Sequence, residues 1–192
     1  PRPETEWLVD EALRIAGKNL KQNPNKKLRI LDVGTGSGCI AISIAKNISS
    51  KKTKVYATDI SEAALKVAKA NAKTNKIKIN FSKHNLLQGV KGKFDIIIAN
   101  LPYVPITDYK KLYQNLKYEP KLALTDGTNQ FIIIKRFIMQ LPSRVTTTGV
   151  ILLETDPASL SSIKQDIKAS FPKRKTKALK DHRHLYRFIE VN

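Results

Sequence analysis

Leu31-Asp32-Val33-Gly34-Thr35-Gly36-Ser37-Gly38 is the stretch whose reading decides the fold. An apolar run from Leu28 to Val33 leads into it, and apolar residues at helical spacing follow from Gly38 to Asn47. The glycines therefore sit at a strand-to-helix junction, the place where an open α/β sheet presents its crevice to a ligand. Glycine there lets a ligand approach the backbone closely. Asp59 closes the next apolar run, Lys54 to Thr58, 21 positions after Gly38. An acidic residue about 20 positions beyond such a turn is placed to accept hydrogen bonds from ribose hydroxyls. A dinucleotide frame wants a third small residue where Cys39 stands, and the glycines fall instead as G-x-G-x-G. That spacing favours S-adenosylmethionine over NAD. Asp32 is then positioned to meet the amino group of the methionine moiety and Asp59 the ribose. The competing reading is a tight turn in which Asp59 only caps the next helix.

Outward from this junction, Ile77 to Ser82 and Phe94 to Ala99 continue a pattern of short strands separated by helical spacing. The helices are predicted at Thr5 to Lys18, Gly38 to Asn47, Ser61 to Asn75, Asn129 to Leu141 and Pro157 to Ser170. Ser61-Glu62 and Asp156-Pro157 supply their starts. Val150 to Glu154, Arg174 to Leu179 and Leu185 to Val191 add three strands, the last two as a hairpin. The whole is a seven-stranded, mostly parallel, doubly wound α/β sheet. The long irregular stretch from Leu101 to Thr128 is of a length that usually carries function.

Composition bounds what such a fold does. With 192 residues and 41% apolar content, one sizeable core and one domain are expected. No apolar run approaches the roughly eighteen residues of a membrane span, no leader opens the chain, and the single Cys39 suits a reducing compartment, so the expected location is the cytoplasm. The first residues already read as a lead into a helix, which fits a chain preceded by a further domain. The net charge of +19 attracts polyanions, although the lysines are spread along the chain and read as general surface.

Asn100-Leu101-Pro102-Tyr103 follows the fourth strand and shares the carboxyl edge with the glycine turn. An amide or ring-amino nitrogen is a poor nucleophile because its lone pair is delocalised. A side-chain oxygen from Asn100 and the carbonyl of Leu101 can accept its two N–H bonds and leave the lone pair aimed at a methyl group. Pro102 stiffens the loop and Tyr103 offers a flat face to a planar substrate. Catalysis of this kind is positioning, with no metal and no strong base needed. His84, His182 and His184 are read as surface or packing residues. Asn85, after the third strand, is placed either to pair with an adenine edge or simply to turn the chain.

These residues resemble the release factor glutamine methyltransferases, within the larger class that shares an Asn-Pro-Pro-Tyr motif. Pro1-Arg2-Pro3-Glu4-Thr5-Glu6 is similar to that family's lead-in signature. Asp32 to Gly38 is similar to its cofactor loop, and Tyr118-Glu119-Pro120 through Ala123-Leu124 and Gly127 to its segment after the catalytic loop. The resemblance implies a Rossmann-like class I methyltransferase fold with helices on both faces of the sheet. It also implies S-adenosylmethionine as methyl donor, S-adenosylhomocysteine as product, and the Gly-Gly-Gln glutamine of a peptide chain release factor as acceptor. The cofactor-binding residues would be Asp32, Gly34, Thr35, Gly36, Gly38, Asp59, Ile60, Asn85, Leu86 and Asn100. Asn100, Leu101, Pro102 and Tyr103 would hold the substrate and carry catalysis, and Arg2 to Thr5 would lie over the methionine end of the cofactor. Leu101 stands where the family usually has proline, Asn85 where it commonly has aspartate, and the family's N-terminal helical domain is not in this sequence. Two other readings remain: methylation of an amino group on a nucleic-acid base, which the charge and the tyrosines Tyr109, Tyr113 and Tyr118 would suit, and a cofactor-binding remnant without activity. A weak contact with nucleic acid or the ribosome is compatible with the first reading as well.

Overall fold

The computed structural model describes residues 3–48, 52–103, 107, 125, 131–181 and 183–192. Its strands are β1 (Leu28–Val33), β2 (Thr53–Asp59), β3 (Asn80–Lys83), β4 (Phe94–Asn100), β5 (Val145–Glu154), β6 (Thr176–Lys180) and β7 (Tyr186–Val191). They form one sheet in the order β3-β2-β1-β4-β5-β7-β6. β1 to β5 are mutually parallel, and β7 runs antiparallel to both β5 and β6. The helices among the described residues are α1 (Pro3–Gln22), α2 (Cys39–Asn47), α3 (Glu62–Thr74), α4 (Ile132–Gln140) and α5 (Leu160–Ser170).

Parallel strands covered on both faces read as continuous apolar runs, and β4 is buried from Phe94 to Ala99. Its alternate residues serve opposite layers. Ile96 and Ile98 pack with Ile30, Val55 and Leu152 beneath α1 and α2, whereas Ile97 and Ala99 pack with Leu31, Ile151 and Leu153 beneath α4 and α5. The Trp7 ring stacks on Phe188 with centroids 4.4 Å apart, fixing α1 across β7. Among the described residues no helix is long and apolar enough to cross a membrane.

The order of strands matters most for function. From β1 the chain moves to β2 on one side and later returns to β4 on the other, so the switch point lies between β1 and β4. Ligands of open α/β sheets bind at the carboxyl ends of strands flanking such a point. Both motifs singled out in the sequence emerge there.

Several boundaries depart from expectation. β3 begins at Asn80 rather than Ile77 because α3 ends in a Schellman motif: Lys76 takes φ 56°, its N–H reaches Lys73 O, and Ile77 N–H reaches Ala72 O at 2.9 Å. α1 runs through Gly17 to Gln22. β5 starts five residues early, at Val145, in a threonine-rich segment that joins β4 beside an irregularity at Phe94/Ile96. α4 begins at Ile132 after Phe131 at φ 51°. Pro157–Ser159 forms a separate 3-10 turn before α5, and Asp156 gives it no side-chain cap. Ser61 does cap α3, accepting from Ala64 N–H at 3.2 Å.

Candidate active site

The turn after β1 is built from backbone bonds that glycine makes possible. Gly34, Gly36 and Gly38 hold φ of 72°, 55° and 83°. The N–H groups of Gly34 and Thr35 both donate to Thr58 O, at 2.8 and 2.9 Å, tying the turn to the end of β2. A Cβ on Gly38 would lie 3.0 Å from the Ala68 Cβ of α3, and one on Gly34 would lie 2.9 Å from Leu101 Cδ2. A Cβ on Gly36 would meet nothing within 4 Å. Two glycines thus allow close packing, and the middle one opens onto free space.

Asp32 is fully buried at the end of β1, with Oδ2 accepting from the Thr35 hydroxyl at 2.6 Å and Oδ1 left without a hydrogen-bond partner. Burial pushes its carboxyl up to about 6; the Thr35 hydroxyl and the Ala41 N–H oppose this, and the Asp59 charge adds to it. An orphaned, buried carboxylate oxygen is costly unless a cation or donor reaches it. Asp59 binds Gly36 N–H through Oδ2 and Ser61 N–H through Oδ1, both at 2.8 Å. It therefore joins the glycine turn to the start of α3, which is more than the capping role alone. Each of its oxygens keeps further lone-pair capacity. Beside it the Ile60 side chain is 56% exposed, an apolar surface next to the acid. Asn85 is partly buried and its carbonyl accepts from Gln88 N–H, so the turn reading of this residue holds as far as its backbone goes. Leu86 sits at φ 57° with its side chain in the core. His84 packs over Gly89 and its Nδ1 pairs with Gln88 O at 3.0 Å, in keeping with a packing residue.

The second motif lies across the switch point. Asn100 ends β4 and is partly buried, with Nδ2 donating to Thr5 Oγ1 at 3.2 Å. Thr5 Oγ1 in turn donates to Glu154 Oε2 at 3.0 Å, and Tyr103 donates its hydroxyl to Glu154 Oε1 at 3.0 Å. Leu101 is 3% exposed and packs on Gly34, so the two loops interlock through a side chain that proline could not supply in the same way.

Glu154 is the member of this network to which the sequence assigns no role, and Thr5 has a different one from that expected. The resemblance puts Thr5 over the methionine end of the cofactor; its hydroxyl sits between Asn100 and Glu154. Glu154 was read only as the end of a strand. The signal was a carboxylate terminating the apolar run Val150-Ile151-Leu152-Leu153, because a glutamate buried there must find donors. Arg2, Tyr109, Tyr113, Tyr118, His182 and most of the Leu101 to Thr128 stretch lie outside the described residues. A separate concavity of about 340 Å³, between Tyr56, Asn80 and Lys91, holds none of the candidate cofactor or catalytic residues.

The methyltransferase small domain family matches residues 6–172. The release factor glutamine methyltransferase of Flavobacterium psychrophilum is 45% identical over 147 residues, 75% of this chain and 50% of that protein. The corresponding protein of Streptococcus pneumoniae is 34% identical over 193 residues, covering 100% of this chain and 66% of its own length. The chain thus spans between half and two-thirds of these relatives. The crystal structure of the ribosomal protein L11 methylase of Lactobacillus delbrueckii subsp. bulgaricus superposes with a TM-score of 0.62 at 27% identity, over 92% of this chain and 74% of that one.

Proposed function

This chain belongs to the methyltransferase small domain family, and from that premise we propose that it transfers a methyl group from S-adenosylmethionine to the side-chain amide nitrogen of a glutamine in a peptide chain release factor. Residues 1 to 192 would act as one catalytic domain, working in the cytoplasm. The glutamine reading is supported by the shared name of relatives at 34 and 45% identity.

The site residues fit the donor. The orphaned Asp32 Oδ1 is suited to the cationic amino group, Asp59 retains acceptor capacity for ribose hydroxyls, Gly36 leaves room over the backbone, and Ile60 supplies an apolar cover. Thr35, Gly34 and Gly38 would shape the turn around the donor, and Asn85 and Leu86 would complete the cofactor site. When bound, S-adenosylmethionine brings a methyl group on a sulfonium that is already a good leaving group. What the chain must add is orientation. Asn100 Oδ1 and the Leu101 carbonyl would accept the two N–H bonds of the amide, holding its lone pair in line with the methyl carbon; Pro102 and Tyr103 would wall the acceptor. The methylated amide nitrogen would pass its surplus proton to water, so no side chain of the site would need to act as a base.

The observation that carries this reading is the placement of Asn100 with its amide NH₂ turned to Thr5, since it leaves the oxygen as the group available to a substrate. Replacing Asn100 with Ala is expected to leave cofactor affinity nearly unchanged by titration calorimetry and to lower kcat at least about 100-fold. Wild-type turnover in that variant would remove Asn100 from the mechanism. The charge of +19 favours a second acceptor, an amino group on a nucleic-acid base, through attraction to phosphates.

A further inference from the structure

We propose that Glu154, acting through Thr5, is the positioning residue that decides which end of the Asn100 amide faces the acceptor nitrogen. The inference rests on the methyl-transfer reading for its purpose, and on three hydrogen bonds for its geometry. Thr5 has one hydroxyl proton, and it is committed to Glu154 Oε2 at 3.0 Å. Its oxygen can then only accept from Asn100, so the group facing it at 3.2 Å is the amide NH₂. The amide oxygen is forced to the other side, and among the described residues no donor engages it. An asparagine rotated by half a turn would present NH₂ to another N–H group and could not hold it. The bond polarity thus runs from Asn100 to Thr5 to Glu154.

The same carboxylate holds the loop's other wall. Glu154 Oε1 accepts from the Tyr103 hydroxyl at 3.0 Å, so one buried side chain at the end of β5 fixes residues at both ends of the Asn100 to Tyr103 motif. Glu154, Thr5 and Asn100 come from β5, α1 and β4, and Glu154 and Thr5 are 3% and 4% exposed. In such a dry setting a network member without its partner is costly, which makes the orientation well defined. A glutamine at 154 could donate to Thr5, release the Thr5 proton toward Asn100 Oδ1, and so permit the wrong rotamer.

The test compares Thr5→Val, Thr5→Ser and Glu154→Gln with the wild-type chain, using two readouts. The first is the Asn100 side-chain NH₂ resonance pair in ¹⁵N NMR, assigned by its disappearance in Asn100→Ala. Both Thr5→Val and Glu154→Gln should move it toward the position of a free amide, and Thr5→Ser should not. The second is labelled methyl transfer from S-adenosylmethionine to a purified release factor. Thr5→Val and Glu154→Gln should each lower kcat about 100-fold with cofactor affinity unchanged, the double variant should be no slower than the worse single one, and Thr5→Ser should restore most of the rate. An unmoved resonance in Thr5→Val, which keeps the volume of the side chain, overturns the proposal, as does Thr5→Ser being as slow as Thr5→Val. If the wild type transfers nothing to the release factor, the acceptor reading fails, and the resonance still decides the positioning role.

Discussion

A carboxyl raised to about 6 from its ordinary 3.8, as Asp32 is by burial, has a definite effect on stability. Its folded value exceeds its unfolded one, so its contribution is fully present below about pH 3.8 and is lost as pH rises through about 6. At neutral pH the ionised carboxylate is then a net cost to the cofactor-free protein, on the order of 3 kcal/mol at most. A cationic amino group beside Oδ1 would offset that cost. Asp32→Asn is accordingly expected to raise the melting temperature of the cofactor-free protein at about pH 7.5, with the gain shrinking toward about pH 4, and to weaken cofactor binding. Thermal melts at the two pH values, paired with titration calorimetry, would check both halves. A variant less stable than wild type at neutral pH would show that Asp32 is satisfied in the fold. Asp32, Asp59 and Asn100 stood out in the sequence because each lies at the carboxyl end of an apolar run. The hydrogen bonds of Thr5 and Glu154 were not, since they join side chains 149 positions apart and no local pattern records such a pair.

At the level of elements, the two functional loops depend on close approach. Gly38 begins α2 at φ 83°, and any Cβ there would press on Ala68 of α3 at 3.0 Å. Gly38→Ala is expected to cost roughly 2 kcal/mol from the left-handed backbone and the contact together, read as a lower denaturant midpoint with an unchanged slope. An unaltered midpoint would mean that α2 and α3 separate easily and that the glycine serves only the ligand. The glycine's role was visible from its place at a strand-to-helix junction. The ends of elements were less so. Lys76 in a left-handed cap carried the chain away from β3 until Asn80, and the polar segment Thr146 to Gly149 hid the start of β5 at Val145. In both places backbone geometry overrode the periodicity of apolar residues, and neither lysine nor threonine signals such geometry.

Across the whole molecule, strand order brings the candidate residues together. β1 and β4 are neighbours only because the chain reverses direction of travel across the sheet between them, and that reversal sets Asp32 and Asn100 on one carboxyl edge. The alternation of strands and helices foretold a mostly parallel, doubly wound sheet but not its strand order, and the last two strands pair antiparallel as expected. Surface charge tells less: +19 spread over the chain suits a partner among polyanions and a protein substrate alike. The measurement that bears most directly on the central claim sets these two classes side by side. Labelled S-adenosylmethionine is supplied with this chain and either an unmethylated release factor, the same factor with its Gly-Gly-Gln glutamine replaced, or deproteinised nucleic acid. Label is expected on the unmodified release factor, none on the glutamine-replaced factor, and none on nucleic acid; label on nucleic acid, or label that survives loss of the glutamine, would contradict glutamine methylation.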